Sequence, residues 1–217
     1  MYKHFFKPFF DIACALIVFV LSSPILLVTA IAIKIDSKGP VIFTQKRVGK
    51  NGKVYDMYKF RSMCVGAEQQ EGGVFCTKGD ARVTKVGRFI RATSIDELPQ
   101  VINILKGEMS IIGPRPVLTY YPKNWDEYSE NELKRFDVLP GITGWAAVHG
   151  RKTNTVEARF AYDNYYVENL SFWLDVKILF MTVKSVLTNE GNEDDGSAKM
   201  NSSVQSESEE KEKSTRL

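Results

Sequence analysis

The residues best equipped for chemistry are two adjacent carboxylates, Asp96 and Glu97, in the run Ser94-Ile95-Asp96-Glu97-Leu98-Pro99. Ser94 and Glu97 have capping-box spacing. With Ser94 as N-cap, however, Pro99 would fall at the fifth helical position and remove a backbone bond. With Asp96 as N-cap, Pro99 falls inside the first turn. The spacing therefore predicts a helix beginning at Asp96, with Leu98, Val101, Ile102 and Leu105 on one face and Gly107 ending it. A capping aspartate needs no further function. Two carboxylates at a helix start can also hold Mg²⁺ beside a phosphate. Neighbouring helical residues diverge by about 100°, so the two would have separate tasks.

The basic residues nearby suit an anionic partner. Lys59-Phe60-Arg61 ends a predicted strand, and Arg82, Lys85, Arg88 and Arg91 precede the carboxylates. Pro114-Arg115-Pro116 is a rigid turn presenting one guanidinium, and Gly150-Arg151-Lys152 comes later. The arginine fork matches phosphate oxygens in pairs. Taken singly, each is an ordinary surface charge; Arg115 is the most constrained, between two prolines. Pro140-Gly141-Ile142-Thr143-Gly144-Trp145 is either a glycine turn or a close backbone approach to a ligand. The chain holds only two histidines, His4 and His149, which disfavours histidine triads and zinc chemistry. No P-loop or dinucleotide-binding glycine motif is present.

These groups need elements to position them. Ile12 to Ile33 is an uncharged run of twenty-two residues, about 33 Å of helix and enough to cross a bilayer. Ser22-Ser23-Pro24 interrupts its middle, and lysines flank both sides. Proline kinks or breaks a helix, and the serine hydroxyls can satisfy the freed carbonyls in lipid. A single span and a re-entrant hairpin both fit; basic residues at both ends favour the hairpin. Two β-rich runs around Asn51-Gly52 predict a hairpin. Short helices are predicted over Ser129–Phe136 and Thr155–Glu168, and an apolar one over Ser171–Leu187, lying at a membrane interface or in the core. The chain carries +3 overall, but the tail 189–217 carries −4, leaving +7 on the body. The tail is too polar to offset its ordering entropy and is expected to be disordered. Cys14, Cys64 and Cys76 form no disulfide framework.

The stretches SSPILL, FTQKRVGKNGK, YKFRSM, ARVTKVGRFIRATSIDELPQVINILKGEMSIIGPRP, PGITGWAAVHGR and YDNYYVENLSFWLDVKI, in this order, resemble the small monotopic phosphoglycosyl transferases, the bacterial sugar transferase family. The resemblance implies a mixed α/β fold with a re-entrant membrane anchor over 1–38 broken at Ser23-Pro24 and a catalytic domain over 39–188 with membrane-surface amphipathic helices. It does not extend over the acidic tail, 189–217, which composition alone sets apart. It also implies transfer of a sugar-1-phosphate from a UDP-sugar to polyprenyl phosphate with release of UMP. Asp96 would be the nucleophile, and Glu97 would be linked to Mg²⁺, the one expected cofactor. Lys59, Arg61, Arg88, Arg115 and Arg151 match positions used around phosphates or the nucleotide. Gly144, Trp145 and His149 match a sugar or uridine pocket. The expected setting is the cytoplasmic face of a bacterial inner membrane, with the bilayer but no nucleic acid as a partner. A homodimer and downstream glycosyltransferases are further candidate partners. The chain departs from the family pattern at Ala147 and His149, where Gln and Asn are usual, which bears on the identity of the sugar.

Overall fold

The computed structural model describes residues 1–70, 73, 76–77, 79–149 and 155–188. Arg151 and the tail 189–217 lie outside the described residues. A π-helical turn, Tyr2–Phe6, leads into one long helix, α1 (Lys7–Asp36), with Pro24 inside it. The missing proline N–H would orphan the carbonyl four residues back, that of Val20. Ser23 Oγ donates to that oxygen at 2.8 Å, and Ser22 Oγ reaches Phe19 O at 3.5 Å. The hydroxyl compensation is as expected, and with it the helix runs on through Ser23-Pro24 where a break was expected.

The buried residues of α1 are Lys7, Asp11, Ala15, Ser22, Thr29 and Ile33, spaced by fours and sevens. That spacing is one stripe of a helix, so α1 lies against the protein from its first turn to its last. Its other faces expose Phe9, Phe10, Ile17, Val20, Leu21, Leu27 and Val28 among others. By length and composition α1 is able to cross a membrane.

Strands β1 (Ile42–Val48) and β2 (Val54–Phe60) form the antiparallel hairpin that Asn51-Gly52 predicts. Asn51 and Gly52 both take positive φ, 53° and 75°, the backbone that such tight turns require. Helices α2 (Lys85–Ala92) and α3 (Gln100–Leu105) follow. Next come β3 (Ser110–Ile112), β4 (Val117–Leu118), α4 (Glu130–Leu133), β5 (Gly141–Thr143) and α5 (Trp145–His149). Last are α6 (Val156–Glu168) and α7 (Phe172–Leu187), each opened by a capping hydroxyl, Thr155 and Ser171. The first sheet has the order β2-β1-β4; the second pairs β3 with β5 in parallel.

The core takes in the apolar helix. Ala15 packs with Tyr55, Met57, Val101, Ile104 and Met109, and Ile33 with Phe60 and Ile90. Polar clamps fix the same helix. Asp11 accepts from Ser110 Oγ at 2.7 Å and from Ile111 N at 3.1 Å. Lys7 pairs with Asp175 of α7 at 2.8 Å, and the Tyr2 and Tyr166 hydroxyls donate to the same carboxylate. One side of α7 is buried through Asp175 and Ile178, while Phe172, Trp173, Leu179, Phe180, Val183 and Val186 are exposed. The Phe172 ring touches Tyr2 and Phe10, so the exposed apolar face of α7 continues that of α1.

Asn103 joins α3 to the hairpin and so sets the geometry of the residues just before it. It is 0% exposed. Its oxygen accepts from Tyr58 N at 3.0 Å, and its nitrogen donates to Asp56 O and Glu108 Oε2, both at 2.7 Å. Asn103→Ala leaves a strand N–H and a carbonyl buried without partners. Thermal unfolding in detergent is expected to register a loss of about 2–4 kcal/mol.

Candidate active site

The two carboxylates sit in a tight turn between α2 and α3. Ser94 adopts a left-handed conformation, φ 56° and ψ 16°, uncommon for a non-glycine residue and typical of functional turns. A 3₁₀ turn, Ile95–Glu97, follows, with Leu98 N donating to Ile95 O at 3.1 Å. The α-helix begins only at Gln100, with Pro99 as its N-cap. The expected N-cap role of Asp96 is therefore corrected. Pro99 has no N–H to bond Ile95 O, so Leu98 takes that carbonyl in the shorter 3₁₀ ring. The Ser94 side chain makes no cap bond.

The two carboxylates are shifted in opposite directions by their surroundings. Glu97 pairs with Lys59 of β2 at 2.8 Å. Burial raises its pKa, but the charges of Lys59, Arg115 and Arg47 outweigh this and hold it below the usual glutamate range. Asp96 is shifted the opposite way: burial raises its pKa, with Lys59 and Arg91 opposing and Glu97 reinforcing. Asp96 thus senses Lys59 and Arg91, and Glu97 senses Lys59, Arg115 and Arg47. Beside Glu97 lies an open cleft lined by Arg47, Lys59, Gln100, Arg115 and Ile142 among others.

The turn bearing Arg115 is fixed by backbone packing. A Cβ on Gly113 would lie 2.3 Å from Leu139 O, and one on Gly141 would lie 2.1 Å from Gly113 N. These glycines let β3 and β5 approach closely, with Gly141 N donating to Pro114 O at 2.9 Å. The sequence left Gly141 and Gly144 open between a turn and a ligand contact; the close neighbour of both is the backbone of Gly113. Arg135 donates through Nη2 to the carbonyl of Arg115 at 2.7 Å. The same Nη2, 2.7 Å away, and Nε bond Asp163, in a pair whose side chains are each 2% exposed.

Of the expected phosphate-binding residues, Lys59 and Arg115 line the cleft. Arg61 does not: it is buried, its Nη1 donates to Lys38 O and its Nη2 to Ser37 O at 2.8 Å, clamping the exit of α1. Arg88 is exposed on α2 and acts on Asp36; its neighbour one turn on, Arg91, is the one that acts on Asp96. Trp145 and His149 of α5 touch in a tilted contact and stack on Tyr165 and Tyr162 of α6 respectively, with Lys177 over Trp145. This aromatic cluster is separate from the lining of the cleft. Sequence reasoning passed over Arg47 and Gln100. The alternation of Gln45 and Arg47 on the inward positions of β1, and the three-residue step from Glu97 to Gln100, were the available signals.

Mg²⁺ takes one or two carboxylates and completes its shell with water and substrate phosphates. Asp96 and Glu97, adjacent and with Glu97 paired through Oε1 alone, fit such a shared ion. Among the described residues no larger His, Cys, Asp or Glu cluster suits a metal held by protein alone.

The model of the family described as bacterial sugar transferase matches residues 2–189. The chain belongs to the bacterial sugar transferase family. It is 47% identical over 190 residues to the UDP-N-acetylgalactosamine-undecaprenyl-phosphate N-acetylgalactosaminephosphotransferase of Aeromonas hydrophila, covering 86% of this chain and 45% of that protein. It is 46% identical to the UDP-glucose:undecaprenyl-phosphate glucose-1-phosphate transferase of Klebsiella pneumoniae, covering 82% and 39%. It is 42% identical to the Uncharacterized sugar transferase EpsL of Bacillus subtilis (strain 168), covering 85% and 89%. The chain thus spans less than half the length of the first two and nearly all of the third.

The raised pKa of Asp96 has a consequence for stability. Between the unfolded pKa and the raised folded one, the native state holds more proton than the unfolded state, so stability falls as pH rises through that window and the loss persists above it. Asp96→Asn removes this cost, and its Tm at neutral pH is expected to exceed that of the wild type, with the difference vanishing below pH ~4.

Proposed function

We propose that this chain transfers a sugar-1-phosphate from a UDP-sugar to a polyprenyl phosphate such as undecaprenyl phosphate, releasing UMP through a covalent intermediate on Asp96. The observation carrying this is the division of charge around the turn. Asp96 is a desolvated carboxylate steadied by Lys59 and Arg91, and Glu97 is held ionised toward a cleft with two arginines. The names of the relatives, undecaprenyl-phosphate sugar phosphotransferases, support the substrates.

A carboxylate is a weak nucleophile, and covalent catalysis divides one difficult displacement into two. Desolvation makes Asp96 more basic and hence more reactive. Its oxygen attacks the β-phosphorus as the bond to the bridging oxygen breaks, and UMP leaves with that electron pair. Polyprenyl phosphate then attacks the same phosphorus, and the Asp96 carboxylate departs; no net proton is required in either step. Lys59 and Arg115 offset charge on the diphosphate. Mg²⁺, bound by Asp96 or Glu97 together with the phosphates, would supply further charge neutralisation.

The anchor over 1–38 serves the catalytic domain over 39–188 by setting the site at the headgroup plane, where the lipid phosphate resides. Both ends of α1 are tied to the domain, through Lys7 and Asp11 at one end and Ile33 at the other. A re-entrant path, with entry and exit on the cytoplasmic face of a bacterial inner membrane, would require this continuous helix to bend at Ser23-Pro24 on insertion; the ties at both of its ends are what favours such a path. The exposed apolar face of α7 lies on the same surface. The process served is the first membrane step of cell-surface glycan assembly, and an N-acetylated hexosamine is the first donor to test.

With UDP-sugar, Mg²⁺ and undecaprenyl phosphate, the released nucleotide is expected to be UMP; UDP would mark a glycosyltransferase instead. Asp96→Asn should lower UMP release by at least about 10³-fold, and a tenth of normal turnover would remove Asp96 as nucleophile. The acid limb of kcat/KM is expected above the ordinary aspartate value of about 3.9. For topology, His4→Cys and Pro40→Cys, in a chain lacking its native cysteines, should label from the same side of sealed vesicles. Labelling from opposite sides would mean a single span.

A further inference from the structure

Helix α1 contains two acids, Asp11 near its start and Asp36 at its end. Each accepts a main-chain N–H from a segment that leads into the site: Asp11 from Ile111 N at 3.1 Å, and Asp36 from Val86 N at 2.9 Å. Asp36 follows Asp11 by about seven helical turns, so the two share one face of α1, about 37 Å apart. At the Asp36 end, Val86 lies in the first turn of α2, whose N-cap Thr84 accepts from Gly87 N at 2.9 Å. Asp36 and Thr84 together satisfy two free N–H groups and fix where α2 starts. The turn that carries Asp96 continues from α2, with Ser94 N donating to Arg91 O and Glu97 N to Ser94 O, both at 3.2 Å. Ile95, next to Asp96, packs against the cluster of Ile33 from α1, Phe60 and Ile90. At the other end, Asp11 also accepts from the buried Ser110 Oγ at 2.7 Å, so β3 is held at two successive residues before it runs through Gly113 to Arg115. Apolar packing along α1 resists separation but permits small slides, whereas directional bonds fix the register.

We propose that Asp11 and Asp36 are positioning residues for the transfer, each setting one side of the reaction centre against the apolar helix: Asp36 the turn that carries Asp96, and Asp11 the loop that carries Arg115. This rests on the transfer through Asp96 set out above. Placement of the nucleophile governs how fast the covalent step proceeds, and placement of Arg115 governs how tightly the diphosphate is held. A shift of about 1 Å at a reacting group costs on the order of a hundredfold. Loss of the Asp36 bond therefore falls on the rate of the covalent step. Loss of the Asp11 bonds falls on the donor concentration that half-saturates it. What matters at both positions is the hydrogen bonds, which asparagine preserves. Its Oδ1 accepts the same main-chain N–H. At position 11 its Nδ2 donates to Ser110 Oγ, whose own hydrogen then goes to Ile112 O, 2.9 Å away.

The test follows adduct formation by intact mass in full-length protein in nanodiscs. The donor is a UDP-N-acetylhexosamine that the wild type turns over, given with Mg²⁺ and without lipid acceptor. The time courses yield an amplitude, a maximal rate and a half-saturating donor concentration. Asp36→Ala is expected to lower the maximal rate by about tenfold or more and to leave half-saturation within about twofold. Asp11→Ala is expected to raise half-saturation by about tenfold or more, with a smaller effect on the rate. Ser110→Ala, which removes one of the two bonds at that end, should raise half-saturation by less. Asp36→Asn and Asp11→Asn should return both constants to within about threefold of the wild type. Misfolded molecules lower only the amplitude, because rate and half-saturation report the molecules that react. Wild-type constants with a reduced amplitude in both alanine variants would make the two ties structural only. Equal changes in both constants at both positions would mean that the helix ends do not set separate sides of the site. Either result overturns the proposal, as does an asparagine variant no better than alanine. A wild type that turns over with lipid but forms no adduct would overturn the transfer through Asp96 instead.

Discussion

The ion pair between Lys59 and Glu97 connects the two halves of the site. Lys59 belongs to the hairpin, and Glu97 to the turn ahead of α3. Without a cation at that point, two adjacent and largely buried carboxylates would repel each other and draw protons. With it, one carboxylate is held ionised while its neighbour keeps a raised pKa, so two groups of similar intrinsic acidity are set apart. The pair would wander if α3 were free to slide along β2. Asn103, with two hydrogen bonds to the strand, prevents this, and its position six residues after Glu97 carries the constraint to the turn.

The same logic governs Arg115. Its side chain is exposed, so its usefulness depends on its backbone being held. Gly113 and Gly141 supply a backbone crossing too close for any Cβ, and the buried Arg135–Asp163 pair grips its carbonyl. The apolar helix joins this framework, because Asp11 bonds the strand that leads into Gly113 and Arg115. A helix able by length and composition to cross a membrane and the loop that carries Arg115 are thereby linked through a few residues.

Local rules made much of this legible. Asn51-Gly52 announces a hairpin because few other pairs tolerate two positive φ values, and Ser129, Thr155 and Ser171 open helices where hydroxyls can cap them. The carboxylate pair and Lys59 were identifiable from residue type and order. Competition between rules hid the rest. At Asp96 the capping preference predicted a helix start, but the missing N–H of Pro99 favoured a 3₁₀ turn. Arg61 and Arg115 both match phosphate positions of the family, although only Arg115 stands between prolines. Long-range packing sends one to the exit of α1 and leaves the other at the cleft. Gln100 and Arg47 are ordinary polar residues until the fold brings both to the cleft beside Glu97. Pro24 broke no helix because Ser23 replaced the bond it removed.

The central claim is that Asp96 becomes esterified to a phosphosugar. The most direct measurement is the intact mass of the protein after incubation with UDP-sugar and Mg²⁺ in the absence of lipid acceptor. The account predicts a gain equal to one sugar-phosphate, lost on adding polyprenyl phosphate, absent in Asp96→Asn and mapped to the peptide containing Asp96. A mass unchanged in a preparation that turns over with lipid present, or an adduct on another residue, would contradict it.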